Sequence, residues 1–207
     1  MLRDELILEG IVTTVDGDGA VNIAPMGPFV TAAMKRLVFR PFKSSQTYKN
    51  LKGHGEGVFH ITDDVWLLAR AAVGRVEPPP MMIPATQVRG YILRDTCRFF
   101  EFKVNHLDDT QDRTEIWGSV VASGRQRDFF GFNRAKHAVV EAAILATRLH
   151  LLQPAEILAE YDKFAVLVEK TGGKQEHKAF QFLRDHVQQV VAHQTDTGAV
   201  PPTAEAP

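Results

Sequence analysis

Two textures divide this chain, and the boundary between them limits its fold more than any single motif does. Residues 6–121 consist mostly of short apolar or β-branched runs separated by turn residues, the pattern of a barrel or sandwich. After Gly131 apolar residues recur at helical period over residues 134–152, 154–161 and 174–193, with one further short strand expected at 164–169. The expected fold class is α+β, mainly β, with a barrel over residues 1–130 and a helical region over 131–193 packed on it. Residues 194–207, rich in Thr, Ala, Pro and Gly and without apolar period, are expected to form a disordered tail.

At 207 residues and 44% hydrophobic content the chain can bury a core without disulfide staples. Its 24 Lys and Arg against 25 Asp and Glu leave a formal charge of -1, so no overall field gathers nucleic acid or an acidic membrane surface. Cys97, the single cysteine, excludes an internal disulfide and a multi-cysteine metal site, points to a reducing compartment, and is read as a small buried hydrophobe. Charges interrupt every apolar stretch near the N-terminus, so neither a signal peptide nor a membrane span is expected, and the protein is expected to be cytoplasmic.

Within the first half, Asp16-Gly17-Asp18-Gly19 between two apolar runs predicts a hairpin. The run from Leu37 is expected to end or lie on an edge at Pro41, and Ser44 or Ser45 to cap a short helix reaching about Lys52. A strand at 57–62 is followed by Asp63-Asp64, which place carboxylates at the start of a helix over 65–73. Pro78-Pro79-Pro80 and Pro84 make an extended connection, and strands at 99–105 and 114–123 flank a polar turn at 108–112.

Chemistry concentrates in two segments. At residues 40–50 a strand runs into basic and hydroxyl residues that open a helix, whose unpaired N–H groups and dipole attract a phosphate. The same residues also suit an ordinary Ser cap beside a solvated Lys43. At Asn22-Ile23-Ala24-Pro25-Met26-Gly27 a strand loses regularity, so its backbone can approach a flat ligand; an ordinary strand end has the same look.

Taken together, Thr13-Thr14, Asn22-x-Ala24-Pro25-Met26-Gly27 and Arg40-Pro41-Phe42-Lys43-x-Ser45-x-Thr47-Tyr48-x-Asn50-Leu51 resemble the FMN-binding split β-barrel proteins related to flavin reductases, in a branch of undefined function. The likeness continues through Thr62-Asp63-Asp64, Asn133-Arg134-Ala135-Lys136, Glu141 and Ala146-Thr147-Arg148-Leu149. It implies a six-stranded or similar Greek-key split barrel with a C-terminal helical region, a homodimer, and FMN as cofactor between subunits. By position, Asn22, Ala24, Pro25, Met26 and Gly27 would face the flavin ring, with Thr14 beside them, and Arg40, Lys43, Ser44, Ser45 and Thr47 would hold the phosphate. After Gly27 the sequence departs from the usual strand continuation, which puts the pocket rim in question.

The resemblance implies an oxidoreductase passing hydride or electrons between a nicotinamide cofactor and a small acceptor; a non-catalytic FMN-binding protein for storage or sensing and a flavin-free structural barrel are the competing readings. No catalytic acid or base is assigned. Arg134, His137, Glu141 and Arg148 fall within an arc of about 60° on a helix expected to be buried, so Arg134, His137 or Arg148 reaches a flavin or anionic substrate, or His137 pairs with Glu141. No metal site is expected, and His54, His60 and His106 are read as surface or loop residues. Lys170-Thr171-Gly172-Gly173-Lys174 lacks the spacing of a phosphate loop and is read as a strand-to-helix turn.

Overall fold

In the computed structural model, which describes residues 5–197, Leu6–Ile7 (β1) and Gly10–Val15 (β2) lead into the expected hairpin. Asp16 Oδ1 accepts from the backbone N–H of Asp18 and Ala20 at 3.0 and 2.9 Å, and the chain returns as Val21–Met26 (β3). Phe29–Val30 (β4) and Arg36–Phe39 (β5) follow, and β5 stops before Pro41, which has no N–H to give a ladder. Gln46–His54 (α1) is capped by Ser45 and closed by Gly55, whose φ of 67° lies in the left-handed region that glycine adopts without steric cost.

Glu56–Ile61 (β6) runs into Val65–Ala72 (α2), capped by the Asp64 carboxylate, which accepts from the N–H of Trp66 and Leu67. Met82–Pro84 (β7) and Tyr91–Leu93 (β8) pair as a small separate ladder. Arg98–Asp108 (β9) and Glu115–Arg125 (β10) are the long hairpin, and Arg134–Ala146 (α3), Pro154–Thr171 (α4) and Lys174–Thr197 (α5) complete the chain.

Eight strands form one antiparallel sheet in the order β1-β4-β5-β10-β9-β6-β2-β3, curled as the half-barrel of an α+β split-barrel fold. Its core gathers Val12, Leu37, Phe39, Leu51, Phe59, Phe100, Phe102 and Ile116. The Phe39 and Phe102 rings lie 4.8 Å apart, with Phe59 edge-on to Phe39 at 6.3 Å, so a few aromatics supply much of the buried area. Strand β3 lies at the end of the sheet and pairs with β2 alone among the described residues. Pro25 is tolerated there because only an edge strand can lose a ladder donor.

The strands and α1 form one unit, residues 5–63 with Val76–Phe129. Asp64–Arg75, which carries α2, belongs instead with residues 130–197, so the expectation that all of residues 1–130 form the barrel is corrected. The reason lies in the apolar side of α2, where Leu67, Leu68, Ala69 and Ala71 are buried and Trp66 meets the Phe182 ring at 5.2 Å. Among the described residues no helix is long and apolar enough to cross a membrane.

The strand expected at 164–169 is also corrected, since these residues are the middle of α4. Ile157, Tyr161 and Val168 are buried at helical spacing, and Tyr161 Oη donates to the Ala142 carbonyl of α3 at 2.7 Å, so packing overrides the β-branched and aromatic composition. Helix α3 ends at Ala146, short of the expected 152, with an alanine-rich buried face of Ala135, Ala138, Ala142, Ala143 and Ala146. Helix α5 continues through residues 194–197; the rest of the expected disordered tail lies outside the described residues.

Candidate functional site

A chain of side-chain amides and hydroxyls joins β2, β3 and α1. Asn22 Nδ2 on β3 donates to Thr47 Oγ1 in the first turn of α1 at 3.1 Å and, at 3.4 Å, to Thr14 Oγ1 on β2. Asn50 Nδ2 donates to the same Thr14 hydroxyl at 3.0 Å, and Gln46 Nε2 to Asn50 Oδ1 at 2.7 Å. Thr14 has no exposed surface, while Thr47 and Asn50 retain only 2% and 3%, so each buried polar group here needs its partner. The Thr14 and Thr47 hydroxyls are therefore taken up within the protein, joining the two strands to the helix start.

Local chemistry explains why α1 starts here. Ser45 Oγ donates to the Phe42 carbonyl at 2.8 Å and accepts from Tyr48 N–H at 3.2 Å, so Ser45, not Ser44, is the cap. Lys43 N–H donates to the Asp112 carbonyl at 3.1 Å, which holds the turn against the β9–β10 connection. Tyr48 Oη and Lys52 Nζ both donate to Asp109 Oδ2 at 2.7 Å. The hydrogen bonds from Lys52 and Tyr48 keep the Asp109 carboxyl below its ordinary range, and those to Asp109 and Tyr48 keep the Lys52 ammonium above its own.

Whether these residues suit an anion depends on which donors remain. The Ser45 hydroxyl both donates and accepts at the cap, and the Thr47 hydroxyl is buried against the Asn22 amide. The half-buried Lys43 ammonium, the exposed Ser44 hydroxyl and the first-turn N–H groups of Gln46 and Thr47 are what an anion would meet. One cation, one hydroxyl and two backbone donors at a helix start suit a phosphate.

Arg40 does not join them. It lines a groove of about 260 Å³ with Phe29, Val38, Glu115 and Trp117. Its guanidinium lies 5.7 Å from the Phe29 ring centre, and its buried Nε makes no hydrogen bond, the Glu115 carboxylate standing 3.9 Å away. On β3, register with β2 sets Asn22, Ala24 and Met26 opposite Thr14, Val12 and Gly10, with Ala24 and Met26 packed on the core, so strand alternation turns the Pro25 side chain to the other face. Residues 22–26 can share one flat ligand only through their backbone edge. Gly27 is explained by packing, because a Cβ there would stand 2.7 Å from Ile7 Cγ2 and 2.8 Å from Glu9 Oε1.

The second constellation lies on exposed surface. Arg134, His137, Glu141 and Arg148 are all exposed, which corrects the expectation of buried charges on this helix. His137 meets the Phe132 ring edge-on at 5.9 Å and makes no ion pair with Glu141. The loop after α4 is equally structural: Gly173 N–H donates to Glu176 Oε2 at 2.8 Å, and Glu176 pairs with Lys136 at 2.8 Å. Among the described residues no group of three or more His, Cys, Asp or Glu is placed to hold a metal ion.

Three buried groups escaped the sequence reading of the site. Asn50 was visible only as part of a motif, although its i,i+3 spacing from Thr47 puts both on one side of α1. Glu101, fully buried, accepts from Thr86 N–H and Oγ1 at 3.1 Å and from Gln87 N–H at 2.6 Å, so it organises the β7–β8 loop. His60 is no surface histidine: it is fully buried on β6. Cys97 is buried as expected, and burial pushes its thiol pKa up.

Residues 8–127 match a family described as "Protein of unknown function (DUF447) N-terminal domain", and residues 133–185 match "Protein of unknown function (DUF447)". No curated protein matches the chain. Among solved structures, an FMN-bound protein from Methanosarcina mazei of the DUF447 family superposes with a TM-score of 0.73 at 24% identity, over 87% of this chain and 94% of that one. A 2-nitrobenzoate 2-nitroreductase from Pseudomonas fluorescens gives 0.49 at 18% identity, over 56% of this chain and 64% of that one. Component B of a nitrilotriacetate monooxygenase from Bacillus cereus gives 0.48 at 20% identity, over 58% and 70%.

Proposed function

This chain belongs to the DUF447 family, and from that premise we propose that it is an FMN-binding flavoprotein, acting as an oxidoreductase between a nicotinamide cofactor and a small acceptor. The observation that carries the reading is the Asn22–Thr47 hydrogen bond, because it ties a free sheet edge suited to a flat ring to a helix start suited to a phosphate. The FMN-bound state of the Methanosarcina mazei protein supports the choice of cofactor.

Lys43, Ser44 and the N–H groups of Gln46 and Thr47 would hold the phosphate, and the β3 edge from Asn22 to Met26 would meet the ring. When bound, FMN supplies the redox chemistry by taking up and giving back a hydride or electrons. The chain's own residues anchor and orient it: Ser45 fixes the start of α1, while Thr14, Thr47 and Asn50 hold Asn22. A homodimer, with a second copy completing the site, belongs to the same proposal.

Titration of the purified protein with FMN, followed by quenching of flavin fluorescence, tests the binding. Lys43→Ala with Ser44→Ala is expected to weaken FMN binding roughly tenfold or more, the scale of charge-assisted hydrogen bonds to a phosphate. Riboflavin, which lacks the phosphate, is expected to bind both proteins equally. Unchanged FMN affinity in the double variant overturns the phosphate assignment.

A further inference from the structure

Resting on the homodimer part of that reading, we infer that the second copy packs on the outer face of the sheet, about a twofold axis that runs along the strands between β5 and β10. Strand alternation picks out the face. Val30, Leu37, Phe39 and Ile116 point into the core, so Phe29, Val38 and Trp117 point outward. Register lines these up across the sheet: Ile7 pairs with Phe29, Phe29 with Val38, Val38 with Trp117, and Trp117 with His106, whose ring lies 4.7 Å from the indole. They make an apolar and aromatic stripe five strands wide, ending at an Ile7 that is 52% exposed.

The other part of this face has its own cover, since Val58 of β6 and Phe99 of β9 pack with Val88 and Ile92 of the β7–β8 segment. Over β4, β5 and β10 lies instead the groove of about 260 Å³ that Phe29, Val38 and Trp117 share with Arg36, Arg40 and Glu115. A contiguous apolar stripe rimmed by charges is the composition of an interface.

The symmetry of the stripe names its occupant. Val38 stands opposite Trp117 and Arg36 opposite Ser119, and the same register carried one step further sets Arg40 beside Glu115. A twofold axis midway between β5 and β10 exchanges the two strands. Arg40 then meets the partner's Glu115, Arg36 the partner's Ser119, Trp117 the partner's Val38 and Phe29 the partner's His106. Each cation faces an anion or a hydroxyl, and each apolar or aromatic side chain faces another. Arg40 is ready for such a partner, because its buried Nε makes no hydrogen bond and the Glu115 of its own chain, at 3.9 Å, is out of reach of one. Sheets packed face to face keep their strands nearly aligned, as this axis requires. Arg40 also stands three residues before Lys43, so the second copy abuts the segment proposed to hold the phosphate.

The test is sedimentation velocity on the full chain. Arg40→Glu and Glu115→Arg are each expected to weaken dimerisation roughly a hundredfold or more, because like charges then meet twice across the axis. An equal mixture of the two variants is expected to dimerise again, since the new carboxylate of one chain faces the new guanidinium of the other. No contact within one chain produces that rescue. The double variant, with its charges exchanged, is expected to dimerise with itself, which shows that both positions tolerate the change. Single variants that dimerise like the wild type, a mixture that stays monomeric, or a double variant that does not dimerise overturns the inference and leaves the stripe to a different partner. A wild-type chain that is monomeric at working concentration overturns the homodimer itself, and FMN titration of the same samples reads the cofactor assignment separately.

Discussion

His60 shows how one side chain can commit a strand. Its Nδ1–H donates to the Ile11 carbonyl of β2 at 3.1 Å, and its Nε2 accepts from Leu93 N–H of β8 at 3.0 Å. Since a carbonyl only accepts and an N–H only donates, one neutral tautomer satisfies both. Burial pulls its pKa from the usual 6.5 down to about 4, against the opposing pull of the Ile11 carbonyl. A depressed histidine pKa means that the unfolded chain takes up a proton first as pH falls, so stability is complete above pH 6.5 and declines between 6.5 and about 4. The slope from this one group approaches about 1.4 kcal/mol per pH unit. Urea unfolding at pH 7.5 and at pH 5 checks this, and an NMR titration is expected to show the His60 ring still neutral at pH 5; a ring protonating near 6.5 contradicts its placement.

At the scale of elements, α1 is the piece on which the proposed site depends, and Gly55 closes it by donating its N–H to the Leu51 carbonyl at 2.9 Å. Gly55→Ala puts a Cβ at a left-handed φ and is expected to cost about 1 kcal/mol in thermal or denaturant unfolding, with flavin affinity falling in parallel. Elements set by local chemistry were legible in the sequence: the Asp16 hairpin, the stop of β5 at Pro41, the serine cap of α1 and the Asp64 cap of α2. Elements set by distant partners were not. The two-residue β4 and three-residue β7 and β8 are too short to carry a period, and the middle of α4 takes its helical form from α3 across the Tyr161–Ala142 contact. The site divides the same way. Ser45 and Lys43 could be read off their neighbours, whereas the Thr14–Asn50 bond joins positions 36 apart, and the removal of Arg40 to its own groove follows from which face of β5 it continues.

For the whole molecule, the proposed oxidoreductase predicts a visible flavin band in the loaded protein that bleaches when NADH or NADPH is added without oxygen; a band that persists identifies a binder without turnover. The proposed homodimer predicts sedimentation at twice the 23.1 kDa chain mass, and a monomer at working concentration removes a second copy from the site. One feature of the sheet links cofactor supply to the fate of the chain. Among the described residues strand β3 leaves one row of backbone N–H and C=O groups without a ladder, interrupted only at Pro25, and such a row is a template on which another chain can pair. A ligand lying along that edge is therefore also its guard. If FMN is that ligand, as proposed, copies made without it would compete for one another's edges, so cofactor supply would set how much of this protein stays dispersed.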